Sequence, residues 1–199
     1  MQPNNIKVLL FLAEGFEDLE AISILDVMGW TQYREWIPTV EVITTGFRTR
    51  IKSRFGLTIE PDISFKDIVA SDYAALAIPG GFHSHGFDEA YDDCLRDLAR
   101  KIHSQGGWLA TFCVGVLPVA EAGLLNNKRA VTYPYSRNHD NPGRLQQLGA
   151  QVMNTPIVID DHIISCQGPG SSLQVSYHLL EELIGKKNSE EVQRLMCSD

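Results

Sequence analysis

The chain has 199 residues, with 17 Lys+Arg against 25 Asp+Glu and a formal charge of −8. A chain of this length buries roughly 70% of the surface its unfolded form exposes, enough for a full core without staples. At 44% hydrophobic and 21% charged residues, it is neither disordered, collagenous nor a coiled coil, and its acidic balance speaks against nucleic acid or an anionic membrane as partner.

Ile6-Lys-Val-Leu-Leu-Phe-Leu12 is nearly all apolar, as a strand buried on both faces of a parallel sheet should be. Ala13-Glu14-Gly15 forms a short turn. A helix is expected from about Phe16, with Glu17, Asp18 and Glu20 near its positive end and Leu19, Ile22, Ile24, Leu25 and Met28 as its apolar face. Thr39–Thr44 reads as a second strand, and 47–60 as further β-structure. Ser64–Val69 is expected as a short helix and Tyr73–Ile78 as a buried strand, stopped by Pro79-Gly80-Gly81. The stretch 88–104 is amphipathic, with Leu95, Leu98, Ala99 and Ile102 on one face. Trp108–Phe112 is a strand and Val116–Leu125 a helix. Ile157–Ser165 reads as a hairpin turning at Asp160-Asp161. A helix capped by Ser171 or Ser172 runs to about Ile184, and a last one spans 189–196.

Strands alternating with helices predict a parallel sheet covered on both faces, and 1–199 reads as a single domain. Four cysteines stand apart with no CxxC pair, which excludes a zinc knuckle or thioredoxin motif and suits a reducing cytosol. No segment reads as a secretory leader or a membrane span, so a cytoplasmic protein is expected.

In such sheets chemistry gathers beyond the carboxyl ends of the strands. Cys113 stands directly after a strand and before Val114-Gly115 and a helix, at a strand–turn–helix elbow. A helix N-terminus beside it is expected to lower its thiol pKa. Glu17 falls on the same rim as a proton carrier whose own pKa a neighbouring thiolate would raise. Asp18 and Glu20 read as ordinary first-turn acids. Gly80 and Gly81 allow backbone N–H groups to approach an oxyanion. His83 and His85 form an H-x-H pair in a loop without a third ligand at metal spacing, so no metal is expected. Cys94, Cys166 and Cys197 carry no functional signal.

LAEGFEDLE at 12–20, AIPGG at 77–81, ATFCVG at 110–115 and SCQGPGSS at 165–172 together resemble the ThiJ/PfpI superfamily, in particular its DJ-one-like branch (relatives of Parkinson disease protein seven). The resemblance covers nearly the whole chain. It implies an α/β three-layer sandwich, flavodoxin-like and of the class I glutamine amidotransferase-like type. It implies Cys113 as the elbow nucleophile and Glu17 as the carboxyl beside it. Gly80, Gly81 and the Val114 N–H become oxyanion donors, and Gly15, His83 and Tyr133 the pocket rim. It also implies a homodimer. The protease-like and amidotransferase-like branches place His after the Cys, where this chain has Val114. The pocket histidine of animal members is replaced by Tyr133. Two functions follow: a cofactor-free glyoxalase or deglycase acting on 2-oxoaldehydes or their adducts, or a non-enzymatic redox sensor or chaperone-like stress protein whose cysteine oxidises to sulfinate. An intracellular peptidase or amidase ranks behind both.

Overall fold

The computed structural model describes residues 6–198. Its central strand β1 (Ile6–Phe11) alternates between two apolar layers: Val8 and Leu10 enter one, Leu9 and Phe11 the other. A strand apolar at every position but Lys7 has to be covered on both sides. Six more strands complete the sheet: β2 (Val40–Gly46), β3 (Ile63–Ser64), β4 (Ala75–Ile78), β5 (Trp108–Phe112), β6 (Ile157–Asp160) and β7 (Ile163–Cys166). Their spatial order is β6-β7-β5-β4-β1-β2-β3. All neighbours run parallel except the β6–β7 hairpin.

Helices α1 (Asp18–Gly29), α5 (Ser172–Ile184) and α6 (Lys186–Leu195) pack on one face. Helices α2 (Asp93–Ser104), α3 (Val116–Glu121) and α4 (Asn141–Gln147) pack on the other. The result is the expected flavodoxin-like three-layer α/β sandwich. Because β4 lies between β1 and β5, the loops leaving these three strands meet at one end of the sheet.

Several elements differ from the sequence reading. Leu19 and Ile22 face outward, 51% and 39% exposed, while Glu20 and Ser23 turn inward with Ala21, Ile24, Val27 and Met28. The helix starts two residues later than expected, with Glu17 as its cap. The 64–69 helix is only a 3₁₀ turn at Phe65–Asp67, and α3 ends at Glu121 instead of Leu125. The hairpin turns at Asp161-His162, both left-handed, one residue later than read. Helix α4 was not foreseen, because its only fully buried aliphatic side chain is Leu145. Among the described residues, no helix is long and apolar enough to cross a membrane.

Gly115 fixes how β5 leaves the sheet. A Cβ there would lie 2.9 Å from the Pro79 carbonyl oxygen and closer still to that of Ile78. Both are backbone atoms and cannot swing aside. Gly115→Ala should therefore cost about 1–3 kcal/mol through overpacking, read as a lower midpoint in urea unfolding with an unchanged m-value.

Candidate active site

The elbow is strained where the sequence puts its cysteine. Phe112 is still extended, then Cys113 takes a φ of +53°, and a single 3₁₀ turn at Cys113–Gly115 runs into α3. A left-handed non-glycine residue costs on the order of 1–3 kcal/mol and persists only where its surroundings hold it. Thr132, itself buried, does so by donating its hydroxyl to the Cys113 carbonyl at 2.9 Å. The Val114 N–H points at the sulfur and favours its anion.

Two carboxyls approach from α1. Glu17 caps the helix, its Oε2 accepting the Glu20 N–H at 2.9 Å. The Glu17 N–H donates to the Gly80 carbonyl at 2.9 Å. One turn on, Glu20 is completely buried, and its Oε2 accepts the Gly80 N–H at 2.7 Å. Its Oε1 is buried without a hydrogen-bond partner among the described residues. Gly80 separates this carboxyl from the cysteine. A Cβ on Gly80 would stand 2.7 Å from Cys113 Cβ and 3.0 Å from Glu20 Oε2. Only glycine fits there. Glu20 is thus not the plain first-turn acid of the sequence reading. The missed signal is positional: Glu20, Ile24 and Val27 recur at helical spacing, which places a carboxyl in the apolar stripe.

Burial sets the protonation of all three groups. It raises the Glu17 carboxyl, with the Glu20 N–H pulling part of the way back. It raises Glu20 strongly, and the Glu17 charge adds to this. It also drives the Cys113 thiol well above its ordinary value, reinforced by the charge of Glu20 and only partly opposed by the Val114 N–H. The sequence reading expected a lowered thiol. The six residues of α3 give a weak helix end, and desolvation outweighs it. A thiol held above its ordinary value needs a proton acceptor as it attacks. Cys166, buried at the end of β7, is pushed up to about 12 by burial and receives the Cys113 N–H.

Cys113, Glu17, Gly81, Val114, His83 and Tyr133 line one cavity of about 550 Å³. Phe55, Phe82 and Tyr135 give it an aromatic wall. Helix α4 closes over it, Asn141 donating its side-chain N–H to the Tyr133 carbonyl at 3.0 Å. Two residues of the sequence reading stand elsewhere. The Gly80 N–H is committed to Glu20, which leaves Gly81 and Val114 as the members of the expected donor set that line the cavity. Gly15 sits behind the wall, its carbonyl accepting the Phe82 N–H at 3.0 Å. His83 and His85 diverge: His83 Nδ1 meets Asp88 at 2.6 Å, and His85 Nδ1 meets the Ser84 hydroxyl at 2.9 Å.

Glu20 should leave a mark on stability. Its carboxyl keeps its proton in the fold above the 4.5 of an ordinary glutamate, where the unfolded chain gives it up. Native stability therefore falls as pH rises from about 4.5 toward the folded value, by at most about 1.4 kcal/mol per pH unit for one proton. Glu20→Gln keeps an oxygen for the Gly80 N–H but cannot ionise. Urea titrations from pH 4 to 8 should show the wild type losing stability relative to Glu20→Gln as pH rises.

The DJ-1/PfpI family model matches residues 6–182. Protein DJ-1 homolog A of Arabidopsis thaliana is 27% identical over 192 residues, 95% of this chain but 46% of its own length, so the chain spans about half of that relative. The Schizosaccharomyces pombe protein named glutathione-independent glyoxalase DJ-1 is 25% identical over 190 residues, 91% of this chain and 93% of its own. The crystal structure of Drosophila melanogaster DJ-1beta superposes with a TM-score of 0.82 at 25% identity, covering 98% of this chain and 99% of that one. With its model spanning all seven sheet strands and the elbow, the chain belongs to the DJ-1/PfpI family.

Proposed function

We propose that this chain is a cysteine-dependent, cofactor-free enzyme of glyoxalase or deglycase type, acting on 2-oxoaldehydes or their adducts. The observation that carries the reading is the meeting of Cys113 and Glu17 in one cavity, with burial holding both the thiol and the carboxyl above their ordinary values. A carboxylate of raised pKa is a better proton acceptor at physiological pH than an ordinary one. Cys113 attacks the aldehyde carbon while Glu17 takes the thiol proton and passes it to the aldehyde oxygen. The Val114 and Gly81 N–H groups serve as the donors to that oxygen as it develops charge. Glu20 does not line the cavity. It holds Gly80, and through it the approach of the elbow to α1. The name of the Schizosaccharomyces pombe relative supports this class of substrate.

The second reading, a redox sensor, draws on the unpartnered Glu20 Oε1. A protonated Glu20 beside an oxidised sulfur would find its acceptor there. Nothing comparable favours a peptidase, since Val114 cannot transfer a proton. The four cysteines are free thiols, which suits a reducing compartment such as the cytoplasm.

We also read the protein as a homodimer. Leu19 and Ile22 stand exposed one turn apart on α1, an apolar face that a second copy would cover. Leu19→Glu with Ile22→Glu should lower the mass measured by light scattering if this face pairs, and leave it unchanged if it does not.

Turnover of methylglyoxal to lactate tests the activity. Cys113→Ser should abolish it. Glu17→Gln should reduce kcat by about 10²–10⁴ while Cys113 still reacts with iodoacetamide. Turnover by Cys113→Ser at the wild-type rate would overturn the assignment.

A further inference from the structure

Isomerising a 2-oxoaldehyde moves protons at two adjacent carbons and at their oxygens, and Glu17 serves the carbons. His83 is equipped for the oxygens. It follows the Gly80-Gly81 turn and opens the 3₁₀ turn His83–His85. It lines the same cavity as Cys113 and Glu17, and its side chain is 25% exposed, shielded yet reachable. Nδ1 lies 2.6 Å from Asp88 Oδ1. A carboxylate only accepts, so Nδ1 carries a hydrogen and Nε2 is the atom that gains and loses a proton.

The ring is also clamped. It stacks on Tyr91 at 5.7 Å and 20°, meets the Phe87 ring edge-on at 5.8 Å and lies 4.8 Å from His139. Tyr91 and Cys113 both pack against the same apolar layer of the sheet. A carboxylate that fixes one nitrogen and walls that fix the plane are what a proton-transfer imidazole needs.

We propose that His83, positioned by Asp88, is the second proton-transfer residue of this cavity, serving the ketone oxygen of a 2-oxoaldehyde held on Cys113. The inference rests on the reading of Cys113 and Glu17 given above. Thiol addition forms the C–S bond and opens the aldehyde C=O, giving a hemithioacetal. The Glu17 carboxylate then removes the proton from that carbon. The electron pair forms the C=C bond of an enediol, and the ketone oxygen takes a proton from the protonated His83. In the return step Glu17 delivers its proton to the second carbon, and the first carbon's hydroxyl gives its proton to His83 Nε2. One carbon is oxidised and its neighbour reduced, with no external oxidant. The product is a thioester, which water cleaves to a 2-hydroxy acid and the free thiol.

The test uses methylglyoxal with the full chain. His83→Gln should lose about 10²-fold or more in kcat, with KM within about threefold of wild type and iodoacetamide alkylation of Cys113 at the wild-type rate. His83→Gly should regain turnover on addition of free imidazole, a response that loss of a merely structural ring does not give. Asp88→Asn should lower kcat less, about tenfold. A His83→Gln kcat within about threefold of wild type, or a His83→Gly protein that imidazole leaves unmoved, overturns the role of His83 while Cys113 and Glu17 stand. A wild type that does not turn over methylglyoxal or phenylglyoxal overturns both.

Discussion

The hydrogen bond from the Gly80 N–H to the buried Glu20 carboxyl ties the working end of this molecule together. It crosses from the loop after β4 to the first turn of α1, which cover the same end of the sheet. Because Gly80 has no side chain, Cys113 comes up against it on one side and Glu20 on the other. The reciprocal bond, Glu17 N–H to the Gly80 carbonyl, fixes the helix start. Glu17 is thereby turned toward the cavity with its own carboxyl half engaged as the cap. Remove the small residue at 80 and the elbow, the cap and the cavity wall all have to move.

Much of this was legible in the sequence because it follows from strand ends. A strand apolar at nearly every position belongs inside the sheet, and a cysteine directly after such a strand has to stand on the rim. Cys113, Glu17 and Gly81 were reached in this way, while Val114 as a donor and Tyr133 at the rim came from the resemblance to the ThiJ/PfpI superfamily; the structure gathers them, with His83, around one cavity. Glu20 reads as a surface acid, since an acid in a first helical turn has the same local signature whether it faces water or sheet, and only its spacing to Ile24 and Val27 sets it apart. Its direction depends on where the helix starts, and that was set by Glu17 as cap, two residues beyond the expected start. The same rotation carries Leu19 and Ile22 to the surface. The sign of the Cys113 shift was equally hidden. A helix end and burial pull oppositely, and only the depth of the site tells which wins. Helix α4 escaped because a polar segment with one buried leucine carries almost no periodic signal.

The two faces of the site have different physical characters. On the α1 side the groups are buried, acidic and bound to backbone. On the far side they are aromatic and imidazole-bearing, carried on 3₁₀ turns and on the approach to α4. The first half sets the nucleophile, and the second, where Phe55 meets Phe82 edge-on and Tyr133 meets Tyr135 likewise, walls the rest of the cavity.

Burying an acid that holds its proton also gives unfolding a proton stoichiometry. When the chain opens at a pH above the 4.5 of an ordinary glutamate and below the folded value of Glu20, that carboxyl returns to water and regains ordinary acidity, so the solution receives a proton that the fold had retained. The heat of that release belongs partly to whatever buffer takes it up. The calorimetric enthalpy of unfolding of this protein is therefore a property of the protein and its buffer together, and will differ between phosphate and an amine buffer at one pH.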